Sequence, residues 1–231
     1  MTAKADRIPS VWARPAPAPR TPALNRAAIV REAIAMLDEN GIEALSMRKL
    51  GARLGAGATS MYRHVDTKDE LLELAVDEVL GEIVLPEADD GNWREAVTAC
   101  AGSFRATALR HPWVCAELGQ AGLASLGPNL AAVMERLTAL FVHTGFTEPH
   151  TAVDALFSYS IGMSTMESAW LTTVARSGQS EARFLARFLP PTAPEDGQDP
   201  DSDAHAVAIR DGKFIDGLAV VLDGLGTRLP S

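Results

Sequence analysis

Apolar residues fall at helical spacing in every segment of the chain long enough to classify. A first helix is predicted over 25–40, where Val30, Ile34 and Leu37 share one face and Gly41 stops the run. Ser46 can cap a short second helix through Leu54 by accepting an amide hydrogen at its open end. Gly55-Ala56-Gly57 then breaks the chain before a third helix over 58–64. Thr67-Lys68-Asp69-Glu70 reads as a capping box that opens a fourth helix, with Leu72, Val76, Val79 and Ile83 as its stripe and Pro86 as its end. Further helices are predicted over 92–110, 112–119, 127–144, 149–176 and 179–188. A last one over 211–228 places Phe214, Leu218, Val221, Leu222 and Leu225 on one side. The fold class is therefore all-α. The Pro/Ala/Arg-rich residues 1–21 read as a disordered tail, 22–85 as one small helical domain, 87–91 as an acidic linker and 92–231 as a second helical domain, with a loop over 190–203.

Composition supports this reading. Hydrophobic residues make up 47% of the 231, with Ala and Leu dominant and β-branched and aromatic types sparse, a balance that favours helices. No apolar run reaches the roughly 20 residues of a membrane span, and the N-terminus lacks the apolar stretch of a secretory signal. A cytoplasmic location without membrane contact is expected. Cys100 and Cys115 give neither a disulfide framework nor a metal-ligand spacing, so no metal and no cofactor is expected. The net charge of −9 argues against nucleic acid until its distribution is considered. Met1 to Val65 holds ten Lys or Arg against five Asp or Glu, while the remainder holds eleven against twenty-five. A basic module on an acidic body suits DNA contact through one end.

The stretch Leu45 to Lys68 carries the most chemistry. A short helix, a glycine-containing turn and a second short helix form the layout of a helix-turn-helix. Gly51 and Gly55 lie where crossing helices leave little room, and Leu50, Leu54, Met61 and Val65 can form the small core beneath. The third helix presents Thr59, Ser60, Tyr62, Arg63 and His64, hydrogen-bonding groups suited to base edges and phosphates in a major groove.

Arg48-Lys49-Leu50, Leu54-Gly55, Met61-Tyr62-Arg63-His64-Val65, Lys68 and Leu71-Leu72 together resemble the signature of the tetracycline-repressor family, over residues 24–85. The resemblance implies that Arg48 contacts a base or phosphate and that Thr59 and Ser60 face the groove. It implies that Tyr62, His64 and Lys68 hold phosphates. Ala58 stands where drug-responsive members carry a long amide, which leaves the operator sequence open. A weaker similarity continues through Trp93, Ala101-Gly102-Ser103-Phe104-Arg105, His111 and Leu118-Gly119 into the C-terminal domain of the tetracycline repressors themselves. Those proteins hold a metal-chelated drug through a histidine just before the Leu-Gly. Here Glu117 stands instead, either a group for a metal or cationic ligand or a solvated acid.

The segment 149–176 has few charges, so burial on most sides is expected. By the resemblance it packs against its twofold mate, with the last helix, in a homodimer, and also walls an effector cavity. Ala155, Ser158 and Gly162 would allow the close approach. The cavity lining is expected to include Cys100, Phe104, Phe141, Phe157, Met163, Met166 and Trp170, with Glu117 nearby, which suits a small, mostly apolar effector. The partners expected are double-stranded operator DNA, that effector and a second copy of the chain. A DNA-binding regulator without a ligand, and a helical enzyme, are the alternatives. Against the enzyme, no Ser/His/acid, HExxH or glycine-rich phosphate motif is present.

Overall fold

The computed structural model describes residues 24–85, 91–121, 127–188 and 203–229, and all secondary structure among them is helical. The predicted tail at 1–21, the linker at 87–90 and most of the 190–203 loop lie outside the described residues.

The head is built by α1 (Arg26–Asn40), α2 (Met47–Arg53), α3 (Ala58–Met61) and α4 (Lys68–Leu80). Each start has a local cause. Asn25 accepts from the Ala28 amide at 2.8 Å, Ser46 from Lys49 at 3.3 Å and Thr67 from Glu70 at 3.0 Å, so three helix N-termini have a side-chain acceptor. The Glu70 carboxylate returns to the Asp66 amide at 2.6 Å, one residue before the cap, so the box closes around a wider loop than expected. Ile29, Leu37, Leu50, Met61, Val65 and Leu71 are buried together as the core of the head.

The body comprises α5 (Trp93–Arg110), α6 (Val114–Ala121), α7 (Pro128–Thr144), α8 (Pro149–Ser177), α9 (Glu181–Leu185) and α10 (Asp203–Gly226). The long α8 lies at the centre, packed by α5 and α7 on one side and by α10 on another. The helix predicted from 211 begins at Asp203 instead. The Pro and Asp residues before it dominate the sequence signal, but Ala204 to Arg210 contains no helix breaker, and Asp203 also accepts from the Ala182 amide at 3.2 Å.

Between head and body, α4 packs against α5, α6 and α7. Asp77 of α4 supplies the cap that α7 lacks from its own chain end. Its Oδ1 accepts from the Asn129 amide at 3.0 Å and the Leu130 amide at 3.1 Å, and Asn129 Nδ2 donates to the Asp77 carbonyl at 2.9 Å. Asp77→Ala is expected to remove about 1 kcal/mol of stability through this cap. That is a fall of about 2–4 °C in Tm for a chain of this size. Calorimetry showing no change would mean that solvent replaces the carboxylate without loss.

Candidate nucleic-acid interface and effector site

The helix-turn-helix forms as the sequence predicts, with two refinements. A Cβ added at Gly51 would lie 2.9 Å from the Ala56 carbonyl oxygen, so close approach excludes a side chain there. Gly55 has open space around it and is needed for its φ of +61°, a left-handed turn residue rather than a packing one. The regular part of α3 ends at Met61, and Tyr62, Arg63 and His64 continue as a turn in which the His64 amide donates to the Met61 carbonyl at 3.0 Å. The tight entry into α4, capped at Thr67, shortens the helix.

This turn is pinned rather than loose. Arg26 at the start of α1 donates to the His64 carbonyl at 3.1 Å and to Glu70 at 3.1 Å. Arg53 on α2 reaches Glu39 on α1 at 2.7 and 3.1 Å and also Glu32. Its charge is thereby engaged within the head, and its hydrogen bond holds the Glu39 carboxyl below the usual range.

Above the buried Leu50, Met61 and Val65, the side chains of Arg48, Thr59, Ser60, Tyr62 and Arg63 are exposed on one end of the molecule. Tyr62 leaves 50% of its surface open although its neighbour Met61 is fully buried. His64 is half-buried, and Lys68 is half-buried with Nζ donating to the Ile42 carbonyl at 3.4 Å. Lys68 thus has an internal partner that the sequence pattern did not reveal. A rigid, core-backed row of short hydrogen-bonding groups, one phenol and two arginines is equipped to enter a groove and grip phosphates.

The eight residues expected around an effector divide into separate places. Cys100, Phe104 and Phe157 meet, with Ile83, Leu137 and Ser160, around a cavity of about 10 Å³, room for one water at most. Phe104 and Phe157 face each other there, tilted, with centroids 5.7 Å apart. The Cys100 thiol is pushed up to about 11 by burial, so it acts as a small apolar group. Phe141 is not part of this lining: it is buried against Trp93 and Phe146, with centroids at 6.0 and 4.9 Å. Helical spacing placed it inside but could not say against which neighbour.

Met163, Met166 and Trp170 line a second space, a cleft of about 290 Å³ between α8, α9 and α10. Its polar wall was not anticipated. Arg105 grips Glu167 with two hydrogen bonds at 2.6 and 2.7 Å, and Arg210 also bonds to Glu167. Arg210 pairs with Glu181 at 2.8 Å, and Glu181 accepts from the Trp170 indole at 2.6 Å. Burial disfavours charge on Glu167, but the bonds from Arg105 and Arg210 outweigh it and hold the carboxyl below the usual range. A signal existed in the sequence: Glu167 is the one acid in a long stretch without charges, between Asp154 and Arg176. Glu117 is half-buried on α6 and belongs to neither lining; its carboxyl is pushed up from the usual range by burial, which the charge of Lys68 partly offsets.

Buried along one face of α8, the hydroxyls of Ser160, Ser164 and Ser168 have no hydrogen-bond partner. Among the described residues no group of His, Cys, Asp and Glu could hold a metal ion, and no helix is long and apolar enough to cross a membrane.

The fold and the exposed row define a helix-turn-helix regulator with a helical body. The profile for bacterial regulatory proteins of the tetR family matches residues 29–75, and that for the tetracyclin repressor-like C-terminal domain matches 85–229. The chain belongs to the tetR family and is a DNA-binding transcriptional regulator. It is 42% identical to an HTH-type transcriptional regulator of Saccharopolyspora erythraea over 70% of this chain and 69% of that protein. It is 33% identical to the HTH-type transcriptional repressor DrrR1 of Streptomyces coeruleorubidus over 77% of this chain and 66% of that one. Among solved structures it is similar to the TetR family protein ActR of Streptomyces coelicolor in complex with actinorhodin. There the TM-score is 0.68 and the identity 28%, covering 89% of this chain and 98% of that one.

Proposed function

We propose that the chain works in the cytoplasm as a homodimeric repressor that occupies a palindromic operator and is released by a small, mostly apolar molecule. The observation that carries this reading is the row Arg48, Thr59, Ser60, Tyr62 and Arg63, exposed yet backed by a fully buried core. Exposed hydrogen-bonding groups carried on a packed core suit a complementary polar surface, which duplex DNA provides. Two copies would place these rows in major grooves about 34–36 Å apart. His64 and Lys68 flank the row and would contact phosphates.

The mate would seat on the outer faces of α8 and α10. Met166, Val207, Ile215 and Val220 are exposed there, and Gly162 has open space over it. Apolar groups in that number on two adjacent helices suit a four-helix interface. The effector would be received among Cys100, Phe104 and Phe157, with Ser160 as a polar contact and with Met163, Met166 and Trp170 at the neighbouring cleft. A cavity of about 10 Å³ is closed to any such molecule, so binding requires α5, α7 and α8 to separate. A ligand that binds only the opened body shifts the population away from the DNA-competent state. Through α4, which packs on the body along its length, that opening would move the heads apart. The relatives' names support this reading, since one is called a repressor and another was solved with actinorhodin bound.

The test is an anisotropy titration of the pure protein against DNA upstream of its own gene at several salt concentrations. Saturable binding by a dimer, with log affinity falling steeply against log salt, is expected. Binding no tighter than to random duplex would refute the operator assignment.

A further inference from the structure

The head meets the body at a second point besides α4. Asp38, in the last turn of α1, directs one carboxylate oxygen at two donors from the turn joining α5 to α6. The Trp113 indole N–H donates to it at 2.7 Å, and His111 Nδ1 lies 2.8 Å from it. Neither ring is a surface group, since Trp113 is 5% and His111 8% exposed. A buried indole N–H needs an acceptor. Here the body leaves that need to be met by a carboxylate of the head. The second imidazole nitrogen, Nε2, faces Glu82 just past α4 at 3.4 Å, and Glu82 also bonds to Arg110 at the end of α5. One turn of the body therefore holds both the end of α1 and the end of α4.

The position of that turn gives the contact a use. It directly follows α5, whose Cys100, Ala101 and Phe104 line the core cavity, so opening the cavity displaces the end of α5 and Trp113 with it. On the other side, α1 is bound to α2 by Arg53 and to the turn after α3 by Arg26, so a push on Asp38 is delivered to the groove-facing row. We infer that Asp38, His111 and Trp113 form a joint that passes effector-domain movement into α1, in parallel with α4, and so sets the orientation of the DNA-reading head. This rests on the effector-released repressor reading given above. The three are positioning residues and touch neither DNA nor effector.

The experiment uses the full chain with nitroxide labels at two exposed sites, Glu43→Cys in the head and Val142→Cys in the body, diluted into unlabelled protein so that distances within one chain are read. Trp113→Phe keeps an aromatic ring and deletes the N–H, and Asp38→Ala deletes the acceptor. Each is expected to broaden the head-to-body distance distribution. The double variant should broaden it no further than Asp38→Ala alone, because that substitution already removes the acceptor of both Trp113 and His111. Operator binding by each is expected to fall within about 5- to 150-fold, the usual range of coupling between sites. Distributions unchanged from the parent in both single variants, even with a lowered Tm, would overturn the joint and leave Asp38 a stabilising contact only. Failure of the unsubstituted protein to bind operator would strike the repressor reading, while the distance measurement still decides the joint.

Discussion

Glu167→Gln is expected to destabilise the protein by about 3 kcal/mol, a large effect for a single polar substitution. Glu167 shows 9% of its side chain to solvent and receives bonds from Arg105, at 13%, and Arg210, at 18%. Removing one member of such a buried pair leaves the others desolvated and uncompensated, at about 3–5 kcal/mol. Asp211 at 2.8 Å from Arg105 and Glu181 at 2.8 Å from Arg210 retain part of the balance, which places the effect at the lower end. With about 2–4 °C per kcal/mol for a chain of this size, Tm should fall by about 6–12 °C. A Tm for Glu167→Gln within about 2 °C of the parent would show that water already reaches the pair.

The same network sets an acid limit. Glu167 is held below its ordinary pKa in the folded state, so the unfolded chain binds the proton more readily. Its contribution is complete above about pH 5, beyond the unfolded value near 4.3, and is lost as pH falls through the lowered folded value. Denaturant titrations between about pH 6 and 3 should show stability falling more steeply for the parent than for Glu167→Gln, which has no such proton to bind.

The double variant Arg48→Ala/Tyr62→Ala should lose operator binding while its dimer and Tm stay as in the parent. Both side chains are exposed, so truncation leaves the head core intact, unlike changes at Leu50 or Met61. One direct base contact is worth about 1–3 kcal/mol, so loss of Arg48 as a base reader alone would weaken binding about 5- to 150-fold, and loss of the Tyr62 phosphate contact adds to that. A salt slope reduced by about one for each phosphate no longer gripped would separate phosphate from base recognition. Normal binding by the double variant would place the recognition unit elsewhere on the head.

How far the sequence could be read depended on whether a signal was local. Caps at Ser46 and Thr67 and the stop at Gly41 involve residues within four positions of each other, and these appeared where expected, whereas α4 ends at Leu80 and leaves Ile83 of its expected stripe beyond the helix. The exposed row of the head was legible for the same reason: its spacing fixes which face is covered by Leu50, Met61 and Val65. Pairings across the fold were not legible. Phe141 reads as one more cavity aromatic until Trp93 and Phe146 are seen against it. The partners of Glu167, the lone acid of its uncharged stretch, are Arg105 and Arg210, 62 and 43 positions away. Asp38 lies 73 and 75 positions from His111 and Trp113, so no window of the sequence joins them. The start of α10 was missed because breakers upstream masked a helix whose first turn is tied to α9.

Because α7 takes its cap from Asp77 rather than from its own chain end, the amides of Asn129 and Leu130 act as a gauge of where α4 stands. While α4 is seated, these two hydrogens should exchange with solvent as slowly as a capped helix end allows. If α4 swings, they lose their acceptor at once, without any change in α7 itself. Two backbone amides of α7 would therefore report any movement of α4 without a label being added.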